Sequence, residues 1–382
     1  ESNRFFERAE EIVLDFENRA ELNVRAGISN VAATVTNQAA LPYRGTYAEK
    51  IMINTYKAMN YLALGDLEAA RVEIRRSYER QQQALAQNER EIAAARAQAS
   101  GHGGIARNAV NDPAFKRAAT IDPTEAAAYA NFANPFTTFL SGLVNMADQD
   151  PARAEVDFRL LASLPLPNKF VQKEFDFIQA HLNEGAPLPQ RRVYVLFENG
   201  LGPRREEMRV DLILPQIGYT GFAFPQIAFQ PSSVHSLRIT LRGDQEPIHT
   251  QRVASMDQIV ATDFQTQMPA MVMRTVASVV AKEVLAYQLT HELDAVGLIL
   301  GSIYKAVVNR ADTRAWKTLG KEFQIAAFDY PESGSLRLSL AGYNKNELST
   351  RREVTLPDGD VVVVLVSSVN SNDLRITTRT LR

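Results

Sequence analysis

The spacing of hydrophobic positions changes once along this chain, and the change divides it. Over residues 1 to about 190 they recur at helical steps. Phe5, Phe6, Ala9, Ile12, Val13, Phe16 and Ala20 follow one another at three- and four-residue intervals, with Glu7, Arg8, Glu10 and Glu11 on the other face. That pattern predicts an amphipathic first helix. Ile53–Leu64 predicts a second helix, Gly65-Asp66 a turn, and Leu67 onward a long third helix reaching about Ala99. Ala58, Tyr61, Gly65, Ala70, Ile74 and Ser77 follow the small, aromatic, turn-glycine, small, large, small order of a tetratricopeptide helix pair. Small side chains at Ala58, Ala70 and Ser77 let two helices approach closely, while Tyr61 and Ile74 fill the gap. Gly101-His102-Gly103-Gly104 stops the third helix, and the breaker-rich stretch to Pro123 reads as a loop with a short helix. A second pair has Gly142, Ala154 and Phe158 in equivalent places and Asp150-Pro151 at its turn. It lies 84 residues after the first (154 minus 70), so the array is interrupted. Pro165, Pro167, Pro187 and Pro189 close the helical half.

From Arg191 the period becomes two. Val193–Phe197 is one strand; Met208, Val210, Leu212 and Leu214 alternate with Arg209 and Asp211; Leu237, Ile239 and Leu241 alternate with Arg238 and Thr240. A helical block follows over about 256–309, with a break near Asp294–Gly297. Strands resume at Phe323–Phe328, Leu336–Ala341, Val354–Leu356, Val361–Val366 and Leu374–Thr378. Pro357-Asp358-Gly359 predicts a hairpin turn between two of them. The expected fold is therefore an α+β multidomain chain. A helical tetratricopeptide-like domain spans 1–186. A β-rich sandwich or open barrel spans 191–382, with a helical hairpin inserted at about 256–309.

Composition narrows the function classes. Of 382 residues, 45% are apolar and 23% charged, ample for buried cores. Forty-two basic against 44 acidic residues give a net charge of −2, so bulk charge offers no case for nucleic-acid binding. With no cysteine there are no disulfides, thiolate metal sites or Cys nucleophiles. The first residue is Glu rather than Met, which fits a targeting segment removed upstream.

Motifs for catalysis fall short. His291-Glu292 begins a zinc-binding H-E-x-x-H pattern, but Ala295 stands where the second histidine belongs. Gly200-Leu201-Gly202 lacks the third glycine of a dinucleotide loop, since position 205 is Arg205. Ser278 and Lys282 are four residues apart rather than three, and no P-loop or G-x-S-x-G elbow occurs. The expectation is no enzyme, no cofactor and no metal. Two charge-free stretches stand out. Residues 126–147, with Tyr129, Phe132, Phe136 and Phe139, read as core. Residues 213–237 are broken by three prolines and two glycines, and Tyr219, Phe222 and Phe224 are the candidate partner-binding anchors there. In the helix beginning at Met256, Arg274, Lys282 and Glu283 interrupt the apolar face too often for a membrane span.

Several segments together carry a resemblance. They are Tyr43-Arg44-Gly45 with Tyr61-Leu62-Ala63-Leu64-Gly65-Asp66, Gly200-Leu201-Gly202-Pro203, Pro269-Ala270 through Arg274, and Ala311-Asp312-Thr313-Arg314-Ala315-Trp316. With these the chain resembles a family of bacterial outer-membrane lipoproteins of undefined biochemistry whose N-terminal helices are tetratricopeptide-like. The resemblance implies export to the periplasm and a lipid anchor attached upstream. It also implies kinship with envelope proteins that regulate peptidoglycan synthesis or build rings, and it brings no catalytic residue. Asp312 is expected to cap or pair with Arg314, and Trp316 to bury a joint between the helical block and the next strand. The functional expectation is a non-catalytic scaffold binding other envelope proteins on the periplasmic side, without nucleic acid. A permanent subunit of a ring or secretion assembly, or a binder or enzyme directed at cell-wall glycan, are the alternatives.

Overall fold

A computed structural model describes residues 1–25, 43–98, 125–214, 218–241, 246–275 and 310–382. The Gly101–Gly104 stop, the Ser278–Lys282 pair, His291 and the break near Asp294–Gly297 lie outside these residues. The chain is helical first and strand-rich afterwards. The first helix, α1, spans Ser2–Arg25. α2 spans Tyr47–Leu64 and starts six residues before the periodicity predicts, because Thr46 and Glu49 form a capping box that satisfies the first amides reciprocally. α3 spans Leu67–Gln98. Between α2 and α3, Gly65 adopts φ 80° and its N–H donates to Leu62 O, while the Asp66 N–H reaches Tyr61 O. This pair of bonds is a Schellman stop, which favours glycine at the left-handed residue.

A 3₁₀ helix over Ala126–Phe132 leads into α4 (Pro135–Ala147), α5 (Pro151–Ser163) and α6 (Lys169–Glu184). Asn134, Asp150 and Asn168 accept the first amides of these three helices. Gly142 has a packing reason: a Cβ there would fall 2.8 Å from Phe158 Cε2, so α4 and α5 touch at bare backbone. Pro165 and Pro167 precede α6 and Pro187 and Pro189 follow it; the helix has its own Asn168 start and Gly185 stop.

Eleven strands follow among the described residues. β1 (Arg192–Asn199), β6 (Gln251–Ser255), β7 (Glu322–Asp329), β10 (Val361–Ser368) and β11 (Arg375–Thr380) form one sheet in the order β11-β10-β1-β7-β6. β4 (Ser236–Leu241), β5 (Ile248–His249), β8 (Ser335–Ala341) and β9 (Glu347–Thr355) form a second, ordered β5-β4-β8-β9. β2 (Arg204–Leu214) and β3 (Gly218–Ala228) pair with each other as a ribbon. Residues 256–275 form helix α7. The helical block predicted over 256–309 is thus described in its first part.

Pro357-Asp358-Gly359 is not a hairpin turn. β9, before it, belongs to the four-stranded sheet, and β10, after it, lies parallel to β1 in the other. Turn residues specify a reversal but not a partner, and the apolar run Val361–Val366 suits an interior strand. β10 and β1 are interior strands, almost wholly buried along their lengths, and β11 alternates as an edge.

The change from helix to strand falls between Glu184 and Arg192, yet one apolar core runs across it, from Met52 and Phe139 to Val195, Phe323 and Val364. Phe136 of α4 stacks on Phe323 of β7 with ring centroids 4.2 Å apart. Arg192 donates to Glu174 of α6 and to Asp329 Oδ1 at 2.7 Å, and the Tyr194 hydroxyl donates to Glu174 at 2.8 Å. The outer edge of β6 is covered from the helical side. Asn168 Nδ2 donates to Gln251 O and Arg252 O, each at 3.2 Å, and the Ser255 N–H donates to Tyr129 Oη at 3.1 Å. Unpaired strand edges invite association, and here two helical side chains close one.

Candidate functional site

The most developed polar site lies where α1 and α3 both rest on α2. Asn54 and Lys57 are three residues apart and therefore share one face of α2. Both are buried, at 0% and 2% exposure. Asn54 Nδ2 donates to Glu10 Oε1 (2.7 Å) and to Glu73 Oε2 (2.8 Å). Lys57 Nζ donates to Glu10 Oε2 (2.6 Å) and lies 3.0 Å from Glu73 Oε1. One carboxylate comes from α1 and the other from α3. Burial alone would lower the ammonium's pKa; the bonds to Glu10 and Glu73 outweigh it and hold Lys57 above its ordinary value. Arg76 pairs with Glu73 at 2.8 Å, so two cations face two carboxylates. Asn54 Oδ1 has no hydrogen-bond partner among the described residues, so its amide is turned wholly toward the carboxylates.

Alongside runs an open cleft of about 500 Å³ between α1 and α3. Lys57 and Tyr61 form its floor, Glu7 and Glu11 one wall, Glu79 and Arg80 the other. α1 lies antiparallel to α2 across this site. The Asn60 amide bonds Asn3 Oδ1 at 2.8 Å, and Phe6 covers Tyr56 and Trp316 at centroid distances of 6.0 and 5.7 Å.

The sequence-selected residues distribute as follows. Tyr61 faces the cleft, Gly65 ends α2, and Ala70 is fully buried where α3 meets α2. Asp312 takes the Arg314 guanidinium at 2.8 and 2.7 Å and its backbone N–H at 3.1 Å. Burial pushes the Asp312 carboxyl up, and the Arg314 bonds more than reverse it, leaving it below its usual range. Trp316 packs on Tyr56 at 5.3 Å, its backbone N–H donates to Glu49 Oε1 at 2.6 Å, and its indole N–H donates to Thr318 Oγ1 at 2.8 Å. Glu49 also accepts from the Tyr43 hydroxyl, and the Arg314 guanidinium stands 5.3 Å from the Tyr43 ring centre. Segments 43–49 and 311–316 thus meet at one carboxylate.

Of the three aromatic anchors, the side chains of Tyr219 and Phe222 lie outside the described residues; the backbone register pairs Tyr219 with Ile213, Phe222 with Val210 and Phe224 with Met208. Phe224 is buried against Phe264 of α7. Residues 126–147 behave as core: Tyr129, Phe132, Phe136 and Phe139 are all buried.

The sequence reading missed Glu10, Asn54 and Lys57. The one signal for the last two is their three-residue spacing between the apolar residues Ile51–Ile53 and Ala58-Met59. It also missed a Ser–His pair: Ser236 Oγ lies 3.0 Å from His249 Nδ1. Ser236 is buried, and burial together with Lys345, Arg238, His235 and Lys169 holds His249 below its ordinary pKa. Among the described residues the charged groups that act on that imidazole are cations. Among the described residues no three His, Asp or Glu side chains converge as a metal site would, and no helix is long and apolar enough to cross a membrane. No family model, no curated protein and no solved structure matches this chain.

Proposed function

We propose that this chain is a non-catalytic scaffold that binds other proteins on the periplasmic side of a bacterial envelope, held near the outer membrane by a lipid anchor upstream of Glu1. The observation that supports docking is the cleft along α1 and α3, concave and lined by charged side chains of both signs from three helices. Such surfaces on helix pairs suit peptides and helices of complementary charge. On this reading α2–α3 and α4–α5 are tetratricopeptide-like pairs, and the two larger sheets form a sandwich that carries them. A photo-crosslinking amino acid at Glu79 or Gln83, with Arg337 as an exposed control on β8, tests the reading in cells. Adducts with envelope proteins from the cleft positions and none from the control are expected. Equal labelling from all three positions, or a native protein that fractionates with the cytosol, would overturn it.

A permanent place in a larger envelope assembly is the second reading, and one observation favours it. Among the described residues β2 and β3 pair only with each other, and a two-stranded ribbon is marginal on its own. Stoichiometric recovery in one large particle is its expected signature.

A further inference from the structure

Cations gather at the end of the four-stranded sheet where β4 begins and the β8–β9 turn lies. Register sets His249 of β5 opposite Arg238 of β4, and Ser236, two residues before Arg238, shares that face. Ser236 Oγ lies 3.0 Å from His249 Nδ1, which leaves Nε2 as the ring's remaining polar atom. Two other elements reach the same end. The β8–β9 turn lays the exposed Tyr343 ring against His235, with centroids 5.1 Å apart, and carries exposed Lys345 two residues on. The start of α6 is tied alongside: the Lys169 N–H donates to Gln251 Oε1 at 2.7 Å, and Gln251 stands two residues after His249. Burial and then Lys345, Arg238, His235 and Lys169 act on the His249 imidazole, and all five push its pKa down. Arg238 has a counter-charge in Glu347 at 2.9 Å, which Arg351 shares at 2.8 Å. Lys169, Lys345 and His235 have no carboxylate partner among the described residues. Lys345 is also held at φ 57°, a left-handed conformation that glycine or asparagine adopts more readily.

We propose that this cluster is a phosphate-binding site, with Lys345, His249 Nε2 and Lys169 as donors to the dianionic phosphate group of a small phosphate monoester. The chemistry favours phosphate over carboxylate. The planar fork that matches a carboxylate belongs to Arg238, and Glu347 already engages it. What remains are single-point donors carried by separate elements, and these suit a tetrahedral dianion with several acceptor oxygens. A bound dianion relieves the mutual repulsion of the cations, which nothing else at this end of the sheet does beyond Glu347 among the described residues. The Tyr343 ring, 66% exposed, offers an apolar face beside them for the esterified group. The inference is independent of the envelope reading and holds wherever the protein resides.

With five histidines in the chain, ring-labelled histidine makes the test direct. The full-length protein is followed by NMR at pH 7 as inorganic phosphate replaces chloride at constant ionic strength, and His249→Gln assigns the His249 signal. A saturable shift of the His249 signal is expected, and its pKa should move upward in phosphate. His181, near the other end of α6, should keep its position. Lys345→Asn removes the charge and suits the left-handed turn, so the fold is retained. It should weaken phosphate binding roughly tenfold, the loss expected for one charge-assisted hydrogen bond. Phenyl phosphate should bind more tightly than inorganic phosphate, and Tyr343→Ala should remove that difference. Parallel, unsaturable shifts of His249 and His181 overturn the proposal. So does undiminished phosphate binding by Lys345→Asn, and equal binding of the two phosphates overturns the monoester as the ligand.

Discussion

Asp263 offers a sharp test of the packing between α7 and the helical layer. Its side chain is buried, with Oδ2 accepting the Ala48 N–H at 3.0 Å and Oδ1 accepting from Gln267. Burial pushes the carboxyl up; those two bonds and Arg205 pull it back; Glu49 pushes it up again, and the result is about 6 against an ordinary 3.8. In the unfolded chain it titrates near the ordinary value. Above pH 6 both states are ionised, and the folded state holds a charge that water would solvate better. As pH falls from 6 to 4, the folded state takes up its proton first, so this group's contribution to stability rises. Below 4 both states are protonated and the gain is complete. Two pKa units correspond to about 3 kcal/mol at 1.36 kcal/mol each. Asp263→Asn keeps the shape and an acceptor for Ala48 but removes the charge. It loses the extra strength of a charge-assisted bond, about 1 kcal/mol, so a net gain of about 1–2 kcal/mol is expected at pH 7. The assay is denaturant unfolding of both proteins at pH 7, 6, 5 and 4. The advantage of the variant should shrink by up to about 1.4 kcal/mol per unit between pH 6 and 4 and vanish or reverse at the low end. A difference that stays constant from pH 7 to 4 would refute the reasoning, because Asp263 would then titrate alike folded and unfolded.

Five further outcomes are expected. Ala70→Leu should overpack α2 against α3 and cost about 1–3 kcal/mol in thermal melts, and Gly142→Ala should cost a similar amount by displacing the Phe158 ring. Arg192→Met leaves Glu174 buried without its cation, and denaturant midpoints should report a loss of about 3–5 kcal/mol. Protease cleavage within 186–191 should yield two fragments that still co-elute on gel filtration, since the core crosses that boundary; separate elution would contradict it. Phe224→Ala should lower the melting temperature of the isolated chain, a loss of about 3 kcal/mol or more, because the ring is buried on Phe264.

Local signals were the legible ones. Gly65 and Asp150-Pro151 marked real turns because their chemistry acts on adjacent backbone. Alternation located β2 and β4, and apolar runs located β1 and β10, which are buried along nearly their whole lengths. What escaped depends on distance. Nothing within Pro357–Gly359 says that β10 must lie beside β1 rather than β9. The Glu10 site joins residues 44 and 47 positions apart, each an ordinary polar side chain on its own helix.

The order of strands has a consequence in time. β1 is the first strand made, yet both its neighbours come late: Arg192 pairs with Asp329 and with Val361, 137 and 169 positions onward. Contacts closed over such spans slow folding, since the entropy of loop closure precedes the reward of pairing. The helices can form as they are synthesised, while the apolar run Val193–Phe197 waits with both edges open, the exposure that aggregation exploits. A growing chain that has reached residue 320 holds β1 complete and neither of the strands that will flank it.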